Sequence, residues 1–146
     1  MRISTRGEYG VRAMLDLALH SAEGPVPLSA IAARQDISEH YLEQLISALR
    51  KAGLVVSFRG AQGGYQLAKP PEEITISEII RTLEGPIAPM HCVEGAHADC
   101  HHVELCATRM LWQKLQASME EVLSKTTLAW LKDEAKKILA TAAIQR

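Results

Sequence analysis

The chain has 146 residues, a formal net charge of −1 and 47% hydrophobic residues, although only 4% are aromatic. This length predicts one domain, or one small domain with an appended element, and the hydrophobic content is sufficient to form a core. No apolar run is long enough to cross a membrane, and a net charge near zero does not by itself indicate nucleic-acid binding. Residues 1–69 are mildly basic and residues 70–146 are mildly acidic, an asymmetry too small to carry much weight.

The first three predicted helices follow a helix-turn-helix pattern. Thr5 is expected to cap a first helix whose apolar residues recur at helical spacing and which stops before Gly24. A short helix over residues 30–35 comes next. After a tight turn, Ser38 is a good N-cap for a longer helix that ends at Gly53. A short helix, a tight turn and a longer capped helix are typical of a helix-turn-helix.

A β-hairpin is predicted directly after that third helix. Residues 54–58 and 65–67 are strand-like, and the glycine-rich segment 60–64 between them is typical of a hairpin loop. In this position a hairpin corresponds to the wing of a winged helix-turn-helix. The same glycines could cradle a nucleotide phosphate, but the lysine and the following helix of a P-loop are missing.

The second half of the chain predicts three more helices and a loop. Ser77 is expected to cap a short helix over 78–83, and two longer helices are expected over 105–124 and 128–143. The first of these long helices has an apolar stripe made of Leu111, Leu115, Met119, Val122 and Leu123, with Trp112 beside it. Because one winged module cannot cover this stripe, we expect a homodimer through it. The alternative is that the stripe packs on the first helix of its own chain.

The predicted fold class is mainly α with a small β-hairpin wing. We expect a winged helix-turn-helix over residues 1–69 and a linker helix with a cysteine-bearing loop over 70–104. A dimerisation helix and a C-terminal helix would follow over 105–146.

Polar residues on the predicted recognition helix and on the wing are candidates for DNA contact. Gln44 can pair with adenine, Glu43 can accept from cytosine, and Tyr41 suits a phosphate. Arg59 lies at a glycine-rich tip that suits the narrow minor groove. The complete candidate set is Arg2, Ser38, His40, Tyr41, Glu43, Gln44, Arg59, Gly60, Gln62 and Gly63. An ordinary solvated helix face is the alternative interpretation of the recognition-helix residues.

All three cysteines lie in one polar stretch, with the spacing C-x7-C-x5-C at Cys92, Cys100 and Cys106. Such grouping is more typical of a metal or cluster site than of core packing. The alternative is two buried apolar cysteines and a stray third one. A disulfide is a weaker explanation because the count is odd. Nearby histidines that could complete a site are His91, His97, His101 and His102.

These features together resemble the IscR/NsrR/RirA/CymR family of bacterial winged-helix regulators over about residues 1–125. The segments that carry the resemblance are MRISTRGEYGVRAMLDLAL, GPVPLSAIAARQDIS, YLEQLISALRKAGLV and the wing RGAQGGYQL. The resemblance implies a homodimeric transcription factor that binds pseudo-palindromic double-stranded DNA. Many members of this family hold an iron–sulfur cluster through three cysteines of this loop, whereas CymR-type members lack those cysteines and sense through a partner.

The resemblance leaves the fourth cluster ligand open. IscR-like members place a histidine three residues after the third cysteine, but this chain has Arg109 there, which cannot ligate iron. Related members use a carboxylate near residue 8 of the other subunit, and this chain has Glu8. We therefore expect Glu8 from a second copy as the ligand, with His97, His101 or His102 as alternatives. A [2Fe-2S] cluster is favoured and a [4Fe-4S] cluster stays open.

The expected function is a cytoplasmic regulator, mainly a repressor, that senses iron–sulfur cluster status and controls cluster-biogenesis genes. Two alternatives are a repressor of the same family that senses nitric oxide or redox state, and a winged-helix protein stabilised by zinc, since three cysteines and one histidine also form a structural zinc site. An enzyme with a Cys/His nucleophile is not expected, because no base with an orienting partner is evident. Neither a membrane nor a small-molecule substrate is expected as a partner.

Overall fold

The computed structural model describes residues 2–95 and 100–146. Over these residues the chain forms six α-helices and a two-stranded antiparallel sheet. The helices are α1 (Thr5–His20), α2 (Leu28–Gln35), α3 (Glu39–Lys51), α4 (Ile76–Glu84), α5 (Ala107–Lys125) and α6 (Leu128–Ile144); the strands are β1 (Val55–Phe58) and β2 (Gly64–Leu67). This confirms the predicted mainly helical fold with a hairpin wing.

The helix-turn-helix is formed by α2 and α3. Helix α2 ends at Asp36, whose φ of 53° puts it in the left-handed region and turns the chain sharply. Ser38 caps α3 as predicted, because its hydroxyl oxygen accepts the backbone N–H of Tyr41 at 3.2 Å. The polar face of α3 is thereby placed at the surface while its apolar face closes the core.

The wing is held against the body of the protein by a third extended segment. β1 and β2 pair from Val55 opposite Leu67 to Phe58 opposite Gly64. The backbone of Val26 makes two further hydrogen bonds with Tyr65, of 2.9 and 2.8 Å. At the tip, a Cβ on Gly63 would overlap the carbonyl oxygen of Phe58, so the loop requires glycine there.

The core lies around α1, and its fully buried side chains come from every helix except α5. These include Met14, Leu17, Ile31, Leu42, Leu45, Leu49, Ile74, Ile79 and Leu128. Helices α1 and α4 approach so closely that a Cβ on Gly10 would overlap Leu83. A glycine in the middle of a helix normally costs stability, and here it permits this contact.

The start of α1 differs from the predicted cap. Thr5 is the first helical residue and Ser4 is the N-cap, but the side chain of Ser4 makes no capping bond. Instead the carboxylate of Glu84, at the end of α4, accepts the backbone N–H groups of Ser4 and Gly7. A carboxylate from a distant element therefore does the capping, which no local sequence signal could show.

The start of α4 also differs from the prediction. Thr75 is the N-cap, and it forms a capping box with Glu78, in which each side chain accepts the other residue's backbone N–H. Ser77, predicted as the cap, lies inside the helix and is buried, and its hydroxyl donates to Glu120 at 3.4 Å.

Helix α5 begins two residues later than predicted and has no fully buried residue. Val103–Leu105 form a separate 3-10 turn, and Cys106 is the N-cap of α5. Met119 and Leu123 pack against the chain's own core, whereas Leu111 and Val122 are 55% and 64% exposed. The predicted apolar stripe is therefore divided between a face covered by this chain and a face open to solvent.

Candidate nucleic-acid interface and cysteine cavity

Helix α3 presents a polar face opposite its buried face. Ser38, His40, Glu43 and Gln44 are exposed, whereas the apolar side of the helix is buried. The side-chain nitrogens of Gln44 and His40 are 3.3 Å apart. Because Ser38 accepts its capping bond through oxygen, its hydroxyl hydrogen is free to donate to a phosphate. The exposed face has donors and acceptors of the kind that contact base edges and phosphates.

Tyr41 is half-buried and connects α3 to α1. Its ring packs edge-on against Tyr9, with centroids 6.0 Å apart and an interplanar angle of 77°. The guanidinium of Arg12 lies 5.2 Å from the centroid of the Tyr9 ring. Any phosphate contact by Tyr41 would therefore come from a side chain whose position is fixed by α1.

The wing presents the remaining candidates at the surface. Arg59, Gly60 and Gln62 are exposed, Gly63 is half-buried, and Arg2 is exposed just before α1. Arg50, which the sequence did not single out, donates to the Ser57 hydroxyl at 3.3 Å. It thus joins the end of α3 to β1. Its place in the last turn of the predicted recognition helix is the sequence signal that could have identified Arg50 as a candidate.

An ionic network around the buried carboxylate of Asp16 supports the helix-turn-helix. The carboxylate of Asp16 is inaccessible to solvent and accepts two bonds from Arg34, of 2.9 and 2.7 Å, and one from Gln35, of 2.9 Å. This pairing raises the pKa of Arg34. Arg12 also donates to the side chain and backbone of Gln35. The end of α2 is therefore tied to α1 immediately before the turn into α3.

All three cysteines line one open cavity of about 830 Å³ between the loop and the start of α5. Cys92 and Cys106 are half-buried, Cys100 is exposed, and all three are free thiols. The walls also include Met90, His91, Glu94, Thr108 and Trp112. Over residues 2–95 and 100–146, no three His, Cys, Asp or Glu side chains are assembled closely enough to hold one metal ion. The three thiols thus line the same cavity but do not converge on one position where a metal ion could bind.

The thiol of Cys106 is activated by its neighbours at the start of α5. Its pKa is lowered, first by the Thr108 hydroxyl 3.0 Å from the sulfur and then by the backbone N–H and the charge of Arg109. A thiolate is the form that binds metals. Three free thiols around an open cavity are soft donors that fit an iron–sulfur cluster or zinc.

Arg109 lies three residues after Cys106, at the position of the histidine ligand that the resemblance implied, and its side chain contacts the backbone of the cysteine loop. Its Nε donates to the backbone carbonyl of Cys92 at 3.1 Å. His91, His101 and His102 are exposed, and His91 lies 2.9 Å from Glu94. His97 lies outside the described residues.

Glu8 does not line the cysteine cavity of its own chain. Its side chain is 62% exposed and lies 3.9 Å from Arg12. It stands at the rim of a second cavity, of about 570 Å³, between α1, α4, α5 and α6. The lining of this second cavity is mostly apolar and includes Val11, Ile80, Val122, Trp130 and Leu131.

Comparison with known proteins identifies a family of transcriptional regulators. Residues 3–134 match the family model Rrf2, described as an iron-dependent transcriptional regulator. Over 128 residues the chain is 49% identical to the transcriptional regulator CymR of Bacillus subtilis, covering 88% of this chain and 87% of that protein. Over 131 residues it is 46% identical to the transcriptional regulator IscR of Erwinia tasmaniensis, covering 90% and 78%.

Solved structures of the same two kinds are similar in fold. The structure of CymR, the global cysteine regulator of B. subtilis, matches with a TM-score of 0.78 and 46% identity, covering 92% of this chain and 98% of that one. The structure of IscR of T. potens matches with a TM-score of 0.79 and 48% identity, covering 94% and 90%. Within the part of the chain that the structure describes, no helix is long and apolar enough to span a membrane.

Proposed function

Because the chain belongs to the Rrf2 family of DNA-binding transcriptional regulators, which are not enzymes, we propose that it represses transcription according to iron–sulfur cluster status. The genes under its control would be those of cluster biogenesis. Relatives named CymR and IscR are similar to it at nearly the same identity, so relatedness does not choose between their roles. The observation that carries the proposal is that Cys92, Cys100 and Cys106 are free and line one cavity.

The three thiolates would hold the cluster, and Glu8 of a second copy would be its fourth ligand. When bound, the cluster would be the sensing group, because its integrity depends on the supply of iron and sulfide and on exposure to oxygen and nitric oxide. A carboxylate is a harder and weaker ligand for iron than thiolate, so this corner would be the labile one. A [2Fe-2S] cluster is favoured by the likeness to IscR-named relatives, and a [4Fe-4S] cluster is the second choice.

The arrangement of α5 supports a contribution from Glu8 in trans. Helix α5 has 19 residues, which corresponds to about 28 Å. In a two-fold pair with antiparallel α5 helices, the start of one helix lies beside the end of the other. The end of α5 lines the same cavity as Glu8, and Cys106 precedes its start. Such a homodimer would bring the cysteine loop of one copy to Glu8 of the other.

Contacts around Glu8 offer a route from the cluster to the DNA-binding face. Glu8 faces Arg12, which bonds to Gln35 at the end of α2 and stacks on Tyr9, and Tyr9 packs on Tyr41 of α3. If a cluster captures Glu8, Arg12 loses the carboxylate that lies 3.9 Å from it, and its contacts with Gln35 and Tyr9 can rearrange. Cluster occupancy would then bias the orientation of α3, which is the differential contact that a two-state switch requires.

The DNA-bound form would be a homodimer on a pseudo-palindromic duplex in the cytoplasm. Each copy would place α3 in the major groove and its wing tip, with Arg59, in the adjacent minor groove. Two-fold symmetric proteins suit sites with two-fold symmetry, because each half-site meets an identical surface.

Anaerobic purification followed by iron, sulfide and zinc analysis tests the proposal directly. We expect brown protein with iron and sulfide in equal amounts, and colourless protein after replacement of any one cysteine by alanine. Colourless wild-type protein that contains zinc would contradict the proposal and favour a structural zinc site. Titration of the loaded protein with nitric oxide and with oxygen, followed by DNA-binding assays, identifies which agent changes promoter affinity.

Substitution at Glu8 tests the fourth ligand separately. Glu8→Ala should still load a cluster but lose it faster, with shifted visible absorption bands. Should Glu8→Ala leave the spectrum and the cluster lifetime unchanged while His101→Ala or His102→Ala alters both, the fourth ligand is a histidine.

A further inference from the structure

The first half of the cysteine loop is fixed to α5 of its own chain by two side chains. Gln116 donates through its amide nitrogen to two backbone carbonyls, those of Ile87 at 3.0 Å and Val93 at 2.9 Å. Arg109 donates through Nε to the carbonyl of Cys92 at 3.1 Å. Three carbonyls on and around Cys92 are thus held by one helix.

The spacing of these donors on α5 makes the attachment rigid. Residues 109 and 116 are seven apart, which is close to two full helical turns, so both side chains project from the same face of α5. Ile87 and Val93 are themselves buried, so the loop segment is anchored by apolar packing as well as by hydrogen bonds.

The same helix also fixes Cys106. Cys106 is the N-cap of α5, and its carbonyl accepts the backbone N–H of Arg109 at 3.2 Å. Arg109 therefore contacts the backbone of both cysteines: that of Cys106 through its own N–H and that of Cys92 through its guanidinium. One helix therefore fixes the backbone at two cysteines that are 14 positions apart in the sequence.

We propose that Arg109 and Gln116 are positioning residues that hold Cys92 in register with Cys106 before any metal arrives. This inference rests on the proposed metal-binding role of the cysteines. It gives a function to Arg109, whose side chain cannot itself ligate a metal. Groups that orient metal ligands from behind typically change metal affinity by about 10–100-fold when they are removed.

Size-matched substitutions on α5 separate positioning from general damage. Gln116→Glu keeps the length of the side chain but removes the N–H donors, because a carboxylate only accepts. Gln113→Glu introduces the same charge at an exposed position of α5 and serves as the control. Arg109→Met removes the guanidinium and keeps an unbranched chain.

Cobalt(II) alone is the probe, added to metal-free full-length protein under anaerobic conditions. Thiolate-to-cobalt charge-transfer absorption reports how many cysteines bind and with what dissociation constant. We expect Gln116→Glu and Arg109→Met to weaken cobalt binding by about 10–100-fold, and Gln113→Glu to bind like the wild type. Dissociation constants within two-fold of each other in all four proteins would overturn the proposal.

Hydrogen exchange of the metal-free proteins provides a readout that needs no metal. The amides of residues 90–95 should exchange faster in Gln116→Glu and Arg109→Met, while those of α1 and α3 keep wild-type protection. Unchanged protection of residues 90–95 would overturn the positioning role whether or not the wild type loads a cluster. Conversely, faster exchange in the two variants, together with a wild type that never takes up iron and sulfide, would refute the proposed function and leave the positioning role intact.

Discussion

Asp16 lies between two leucines of α1, yet its carboxylate is fully buried and bound by Arg34 and Gln35. Burying a carboxylate is costly unless it is paired and hydrogen-bonded, and here three hydrogen bonds satisfy it. No sequence pattern singled this residue out. Its position at the junction of α1 and α2 makes it a determinant of the helix-turn-helix geometry.

Asp16→Asn should destabilise the protein by about 1–3 kcal/mol, because Arg34 and Gln35 would lack charge-assisted hydrogen-bond acceptors. Glu121→Gln, which disrupts an exposed ion pair with Lys125, should cost no more than about 0.5 kcal/mol. Urea denaturation followed by circular dichroism measures both changes. Equal denaturation midpoints for the two variants would show that the Asp16 network contributes no more to stability than a surface pair.

Arg59 and Gln44 are proposed to contact DNA in two different ways, so their substitutions should behave differently. Arg59→Ala should weaken binding to all duplexes and reduce the salt slope by about one for each phosphate that it no longer neutralises. Gln44→Ala should relax preference at one base pair, by about 1–3 kcal/mol. Fluorescence anisotropy over a salt series measures both, with Lys136→Ala on α6 as control. Wild-type affinity and salt dependence in both variants would exclude the proposed docking.

Glu43 is expected to increase specificity by repelling DNA sites of the wrong sequence. A carboxylate near the phosphate backbone repels sites at which no cytosine amino group compensates it, so Glu43→Ala should broaden the selected sequences without abolishing binding. Selection of bound duplexes from a randomised pool, compared with the wild type, shows this directly. A selected motif as narrow as that of the wild type would argue against a role for Glu43 in specificity.

At the scale of elements, local sequence signals predicted the presence of each helix more accurately than they predicted its first residue. Ser38 was identified as a cap because its own hydroxyl does the capping. The prediction that Thr5 caps α1 was wrong because the capping carboxylate belongs to Glu84, which is remote in sequence. The prediction that Ser77 caps α4 was wrong because the cap is Thr75, two residues earlier. The division of α5 could not be predicted, since periodicity shows that a face is apolar but not which surface covers it.

The capping box of α4 makes a testable contribution to stability at neutral pH. The backbone N–H of Thr75 holds the pKa of Glu78 below its usual range, with further help from Lys69. A carboxyl whose pKa is lowered by folding stabilises the protein above its unfolded pKa. This contribution is lost as the pH falls through the folded pKa.

We therefore expect Glu78→Gln to be less stable than the wild type at pH 7 and to show a smaller loss of stability between pH 7 and pH 3. Thr75→Ala should cost about 1 kcal/mol at pH 7. Free energies of unfolding from urea titrations at each pH provide the measurement. Parallel pH profiles for the wild type and Glu78→Gln would contradict a role for this carboxylate in the pH dependence.

At the scale of the whole molecule, α5 has an exposed apolar face that the single chain leaves uncovered, and the end of α6 also exposes apolar side chains. Leu115 is half-buried and Met119 packs inward, so a test of dimerisation belongs at Leu111, which is more than half exposed. Leu111→Asp should leave the fold of each chain intact and place an unpaired charge in the seam, at a cost of several kcal/mol.

Sedimentation equilibrium should give the mass of a single chain for Leu111→Asp and that of a dimer for Gln113→Asp, an exposed position two residues further along α5. Circular dichroism should show the same helical content in both. A dimer of unchanged dissociation constant in Leu111→Asp would exclude this face as the interface.

The sequence could indicate which cysteines lie together, but not how the groups around them are arranged. The grouping of Cys92, Cys100 and Cys106 predicted that they share a site, and they line one cavity. The role of Arg109 was not predictable, because a hydrogen bond from Nε to a backbone carbonyl 17 residues earlier leaves no pattern in the sequence. That Glu8 lies outside the cavity of its own chain is likewise a property of the packing of α1.

The absence of any fully buried residue in α5 has a consequence for gene dosage. If the open face of α5 forms the homodimer, the number of copies per cell sets the fraction of paired chains. Below the dimer dissociation constant the concentration of pairs varies with the square of the total, so halving the copies leaves a quarter of the DNA-binding form. A promoter controlled by this protein would then respond more than proportionally to its abundance, even at constant signal.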